Sequence, residues 1–402
     1  MISKLMIVMV GVVLVAGFSG VSMDESPSER GTHPDYEALA EKLVRQCAAI
    51  REGDLVQISG GVRDVELLEN IATHVRKVGA FPLVTLASDR MARRSYEDVP
   101  AKYDSQTPEF GLKLAGIITA QIVVDSQEAL DVLKDVPGER LAARSKAWRP
   151  AGDLRLERGV RQVYLGEEGG LYPTAERARL FGVSQAELAE VFWNGLDVDY
   201  EKLQVKGKAG KAALATGKEM HITNPNGTDL KVLVEGRPVF VSDGVISAED
   251  EKTGGAACQI WLPAGDIYLA PVPGTAEGKV VIDRQLFQGK EILGLTLTFE
   301  AGKVTSMVAE SGLEPLKARY DASSSDKDQF AFIDIGINPN VSLPPGSRIV
   351  SYMPAGMVTV GVGNNIWAAG GNDSDFGMSN FLPGSTLTVD GKVLVEDGKL
   401  KF

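Results

Sequence analysis

The 402-residue sequence is poorest in the side chains that metal and nucleophile chemistry most often use. It has two cysteines and three histidines, and none of the histidines lies beyond His221. No CxxC or HExxH can be built from them, so a thiolate zinc site and a helical zincin site are both excluded. GxGxxG and GxxxxGK[ST] are absent too, which leaves nucleotide binding without a motif, and no GxSxG marks a serine nucleophile. No run of Lys and Arg interleaved with aromatics occurs, and the formal net charge is -12, so a nucleic-acid partner would meet general repulsion. Lys202, Lys206, Lys208, Lys211 and Lys218 read as a solvated helix face. The one long apolar run, Leu5 to Ala16, is short for a span of about 30 Å of hydrocarbon.

That run reads as a leader. Lys4 supplies the positive end, and Gly17, Ser19, Gly20 and Ser22 offer small residues for cleavage. We therefore expect a signal peptide over residues 1–23 and export to a periplasmic or secreted location, with a retained membrane anchor as the alternative. No cysteine lies near the leader, which argues against lipid attachment there. Export permits a disulfide between Cys47 and Cys258. Cys47, however, falls on the apolar stripe of a helix, and two buried thiols are the plainer expectation.

With 44% apolar and 24% charged residues, the remainder has ample material for a core. After a loose polar segment at 24–33, Tyr36, Leu39, Leu43, Cys47 and Ile50 recur at helical spacing, as do Leu68, Ile71, Val75 and Val78. Short apolar strands alternate with these helices at 54–58, 83–86 and 122–125, the pattern of a parallel α/β sheet. Ser184 with Glu187 is a capping-box signature opening a helix whose apolar face is Leu188, Val191, Phe192 and Leu196. Phe192 and Trp193 could wall a substrate, but packing a helix onto a sheet is the commoner use of such a pair. From about residue 219, strands punctuated by Gly, Pro, Asn and Asp take over, at 230–234, 239–241, 279–283, 295–299, 347–351 and 357–362. We expect an α/β domain at 34–210 and a β-rich α+β domain at 211–402. His33, His74 and His221 read as structural or solvated histidines.

Four stretches of the second half carry the most information. They are Asn226 to Leu230, Trp261 to Pro271, Ala331 to Pro339, and Gly356 to Gly363 continuing to Gly370-Gly371-Asn372-Asp373-Ser374. In this order, with Gly278 following the second block, they resemble the thermophilic-type metallo-aminopeptidases, the family of aminopeptidase T and aminopeptidase S. The resemblance implies that family's fold: a parallel α/β domain followed by a β-rich domain that carries a metal-site frame. It implies a pair of divalent metals that activate water for removal of N-terminal residues from peptides.

Carried over position by position, the implied ligands are mostly substituted. Asp266 takes the place of the first glutamate and stays a carboxylate. The second glutamate falls on Phe332, the first histidine on Thr359, the tyrosine on Ile366, and the closing histidine and aspartate on Gly377 and Ser379. A slip of two residues would bring Asp334 to the second glutamate's place. Asp334, Asp373 and Asp375 are the candidate replacement carboxylates, although strand-end and turn aspartates are common for other reasons.

The resemblance thus leads to an exported aminopeptidase relative with a degenerate metal site, binding peptides or acting as a scaffold. No cofactor is expected, or a divalent metal if any; peptides are the implied partners, nucleic acid is not, and stable membrane insertion is not expected once the leader is removed. A homodimer follows by resemblance alone. The alternative is an active hydrolase using the relocated carboxylates. The ring-cleaving dihydroxypyridine dioxygenases, which resemble this fold, need iron held by histidines that this chain lacks.

Overall fold

The structure is a computed structural model that describes residues 35–166, 171–323 and 325–402. The expected leader, the loose segment and His33 lie outside the described residues. Residues 34–402 form one compact unit.

The alternation of helix and apolar strand builds a five-stranded parallel sheet. Its order is Phe81–Ala87, Leu55–Gly61, Ala120–Val124, Arg161–Leu165 and Gln259–Leu262. Its last strand is supplied from beyond residue 210. Parallel strands covered on both faces read as continuous apolar runs, as Ala120–Val124 does with every residue buried. Helix Val65–Lys77 shows why a stripe becomes a helix here. Leu67, Leu68, Ile71 and Val75 are sealed in the core, with Glu66 in the first turn and Arg76 and Lys77 in the last, where the macrodipole favours each sign. The capping box of Gln185–Leu196 is made as expected: Glu187 N donates to Ser184 Oγ at 3.1 Å, and Ser184 N to Glu187 Oε2 at 2.7 Å. Phe192 and Trp193 pack edge-on against each other and Tyr172, a core cluster and not a substrate wall. Of the five lysines at 202–218, only Lys206 is not fully exposed, in keeping with a solvated face.

The second half forms two antiparallel sheets. The larger has eight strands, in the order Lys303–Val308, Lys290–Glu300, Glu277–Phe287, Asp229–Leu233, Glu219–Thr223, Thr386–Val389, Lys392–Glu396 and Lys399–Leu400. The smaller runs Gly377–Leu382, Val358–Gly363, Phe330–Gly336, Asp266–Leu269 and Phe240–Ser242. One expected strand does not form. Residues 347–351 are irregular, and Arg348 N donates to Phe181 O at 2.8 Å instead of entering a ladder.

Both cysteines are free and buried, the plainer of the two expectations. Burial pushes the Cys47 thiol up to about 12 and the Cys258 thiol up to about 11, so neither is a thiolate at neutral pH. His74 is buried beside Glu37 at 2.9 Å, and His221 meets Asp229 at 2.7 Å, so both serve structural contacts.

Candidate functional site

The site lies where the chain leaves the parallel sheet for the smaller antiparallel one. Gln259–Leu262 closes the first sheet, Pro263, Ala264 and Gly265 turn the chain, and Asp266–Leu269 enters the other. The turn is locked from outside. Asn338 is fully buried, and its Nδ2 donates to Gly195 O at 3.0 Å and to Ala264 O at 2.5 Å. Ile337 N donates back to Gly265 O at 2.7 Å. Gly265 has φ +133°, and a Cβ there would stand 2.6 Å from Asn338 Cβ and 2.8 Å from its backbone N. Only glycine satisfies both the left-handed backbone and the close approach. The two motif turns, Pro-Ala-Gly and Gly-Ile-Asn-Pro, are thus two halves of one joint. A parallel lock joins the other blocks: Gly278 faces Leu230 in register, and a Cβ on it would fall 2.1 Å from Asp229 O.

Pairing then fixes what shares the sheet face. Asp266 stands opposite Gly336, while Asp334 stands opposite Tyr268 on one side and Thr359 on the other. Asp266 and Asp334 are therefore diagonal neighbours on one face, within reach of each other's carboxylates. They line a small cavity of about 30 Å³ together with Trp261, Phe332, Tyr352, Thr359, Trp367 and Ser379. Both aspartates are buried, as are Phe332 and Thr359, whereas Trp367 and Ser379 are partly exposed. The Phe332 ring packs against Gly361, where a Cβ would fall 2.0 Å from its Cε1.

Four sequence-derived positions therefore meet in one pocket: Asp266, Phe332, Thr359 and Ser379. Asp334 meets them as well. Ile366 and Gly377 do not line it; Ile366 sits on a short 3₁₀ turn and Gly377 opens its strand, exposed. Asp373 is drawn off to Arg149 at the surface, and Asp375 is buried beside Arg319 at 3.5 Å, so neither joins the pair. Trp261, Tyr352 and Trp367 were not singled out from the sequence. Trp367 could have been found, because it lies one residue past the position matched to the family tyrosine. Gln259 Nε2 donates to Trp367 O at 3.0 Å, holding that turn against the parallel sheet.

Electrostatically the pocket is one-sided. Burial, and then the nearby Asp266, hold the Asp334 carboxyl well above the usual carboxylate range. Tyr268 is likewise raised, by burial first and by Asp266 and Asp334 after it, so it stays a neutral donor and gives its hydroxyl to Ala256 O at 3.2 Å. Thr359 Oγ1 and Asp334 Oδ1 are sealed from solvent without a hydrogen-bond partner. Among the described residues, no three His, Cys, Asp or Glu side chains converge as metal ligands would. The fit to a metal pair is poor: two carboxyl groups share the cavity with three hydroxyls, of Tyr352, Thr359 and Ser379, and a set of aromatic rings.

The profile of the thermophilic metalloprotease (M29) family matches residues 32–325. The chain belongs to that family. The matched span includes Asp266 and the Asn226–Leu230 turn, while Phe332, Asp334 and Thr359 lie past its end. Across a wider stretch the fold is similar to wild-type AmpT from Thermus thermophilus, with a TM-score of 0.71 and 19% identity over 91% of this chain and 99% of that one. It is also similar to 2,5-dihydroxypyridine dioxygenase from Pseudomonas putida KT2440, with a TM-score of 0.56 and 14% identity over 91% and 96% of the two chains. At these identities both likenesses concern the fold. No curated protein matches the chain. Among the described residues, no helix of this M29 member is long and apolar enough to cross a membrane.

Proposed function

We propose that this protein is an exported, non-catalytic member of the M29 family, in which the metal-aminopeptidase frame survives as a peptide-binding or scaffold body. The observation that carries the reading is the Phe332 ring seated on Gly361, filling the position matched to a metal-binding glutamate with apolar surface. An ion there would face ring carbons where it needs oxygen or nitrogen at about 2.0–2.2 Å. The cavity is also small, about 30 Å³, and three of its lining residues are Trp261, Phe332 and Trp367. Asp334 supplies a carboxylate near the lost one, but Asp373 and Asp375 are committed to Arg149 and Arg319, which weighs against a hydrolase rebuilt from relocated ligands.

Metal analysis of the purified protein, with peptidase assays in added zinc, cobalt or manganese, tests this. We expect sub-stoichiometric metal and no metal-dependent release of N-terminal residues. Two tightly held metals per chain together with such release would sink the reading.

We also assign a homodimer contact to the outer strand of the parallel sheet. Phe81–Ala87 pairs on one side only and carries no charge, and Phe81, Leu83, Val84 and Leu86 are exposed on it. Exposed edges are usually blunted by charge or cover, and an uncharged edge suits antiparallel pairing with a second copy of itself. Leu83→Lys is expected to shift the sedimentation mass from dimer to monomer. A monomeric wild type, or a dimer unmoved by the substitution, would rule this contact out.

A further inference from the structure

We propose that the cavity between Asp266, Asp334 and the Trp261–Trp367 wall binds a small primary ammonium cation, with the ammonium ion or methylammonium as the simplest occupant. This rests on the reading that no metal pair resides there. The carboxyl groups of Asp266 and Asp334 lie diagonally on one sheet face. A cation between them favours their ionised forms, so the proton the pair holds is released on binding and both can then accept N–H donors from one nitrogen. Thr359 supplies a third acceptor, since its hydroxyl oxygen lines the cavity, is 1% exposed and has no hydrogen-bond partner. The remaining wall is aromatic. Trp367 stands nearly perpendicular to both Trp261 and Phe332, with centroids 5.5 Å and 5.0 Å away.

A lining of a few oxygens among aromatic rings suits an alkylammonium better than a bare metal ion. A metal needs oxygen on every side, whereas an ammonium group donates to the carboxylates and tolerates aromatic rings around it. The size agrees. The cavity, about 30 Å³, suits a small cation, and a quaternary ammonium has no N–H to give to these oxygens. Trp367 and Ser379, the partly exposed lining residues, mark the side from which such a cation arrives.

Thermal unfolding of the full chain, with Trp fluorescence read in parallel, tests the proposal. Ammonium, methylammonium, tetramethylammonium, sodium and zinc chlorides would be compared at matched ionic strength. We expect ammonium and methylammonium to raise the midpoint saturably, by about 2–5 °C, with tetramethylammonium no better than sodium. Asp334→Asn should abolish the shift and Thr359→Val should weaken the apparent affinity several-fold, both variants retaining a cooperative transition. Equal effects of methylammonium and sodium overturn this inference and leave the non-catalytic reading standing. Saturable stabilisation by zinc at two per chain overturns both. If Asp334→Asn does not fold, titrations of the wild type and Thr359→Val still decide the matter.

Discussion

Asp334→Asn is expected to make the protein more stable at neutral pH and to flatten its pH dependence. In the wild type the Asp334 carboxyl is buried beside Asp266, and both effects raise its pKa in the folded state. A raised acid binds a proton in the folded chain that the unfolded chain has already released. Its stabilising contribution is therefore complete below the unfolded value, 3.8, and is lost as pH climbs from there toward the folded value. For one proton the slope approaches about 1.4 kcal/mol per pH unit. The proton belongs to the Asp266–Asp334 pair as a unit, and asparagine at 334 leaves a single acid in the pocket. Urea denaturation across a pH series should give a falling curve for the wild type and a shallower one, lying higher, for the variant. Two parallel curves would show that the pair does not share a proton.

Gly265→Ala should cost roughly 3 kcal/mol or more, combining a strained left-handed backbone with a collision against fixed backbone. The Cβ would meet the backbone N of Asn338, and Asn338 cannot retreat without giving up its bonds to Gly195 and Ala264. Gly377→Ala is the control. It lies near the same site, but nothing stands within 4 Å of its added Cβ, so a change within about 0.5 kcal/mol is expected. Denaturation midpoints of the two variants would separate these cases, and equal losses would mean that Gly265 is not under the constraint described.

The joint at Gly265 also shows which parts of this molecule can be read without coordinates. Its residues are special because of backbone geometry, and backbone geometry restricts residue type sharply enough to leave a signature in the sequence. The apolar periodicities of Val65–Lys77 and Ala120–Val124 are legible for a similar reason, since burial on a fixed side imposes a fixed period. Residues 347–351 alternate well enough to suggest a strand, but a strand needs a neighbour. Flanked by prolines at 344, 345 and 354, that segment finds Phe181 instead of a ladder.

The pocket itself was half visible. Asp266, Phe332, Thr359 and Ser379 come together because they occupy matched places on neighbouring strands. Trp367 and Tyr352 arrive on irregular segments, where no period or pairing rule assigns a side chain to a face. Asp334 is legible as a candidate replacement carboxylate and, through a two-residue slip, as a stand-in for the second glutamate. It is in fact the next residue on the same face as Phe332, so both readings of that stretch end in one cavity.

The chain crosses from the parallel sheet to the site sheet in three residues, and Asn338 clamps them. A hinge needs slack at its pivot, and this crossing has none. The two layers are therefore tied tightly to each other at this crossing. With the crossing fixed, the side of the cavity nearest solvent is the one lined by the partly exposed Trp367 and Ser379, so the short turn that carries Trp367 is the least constrained wall of the site.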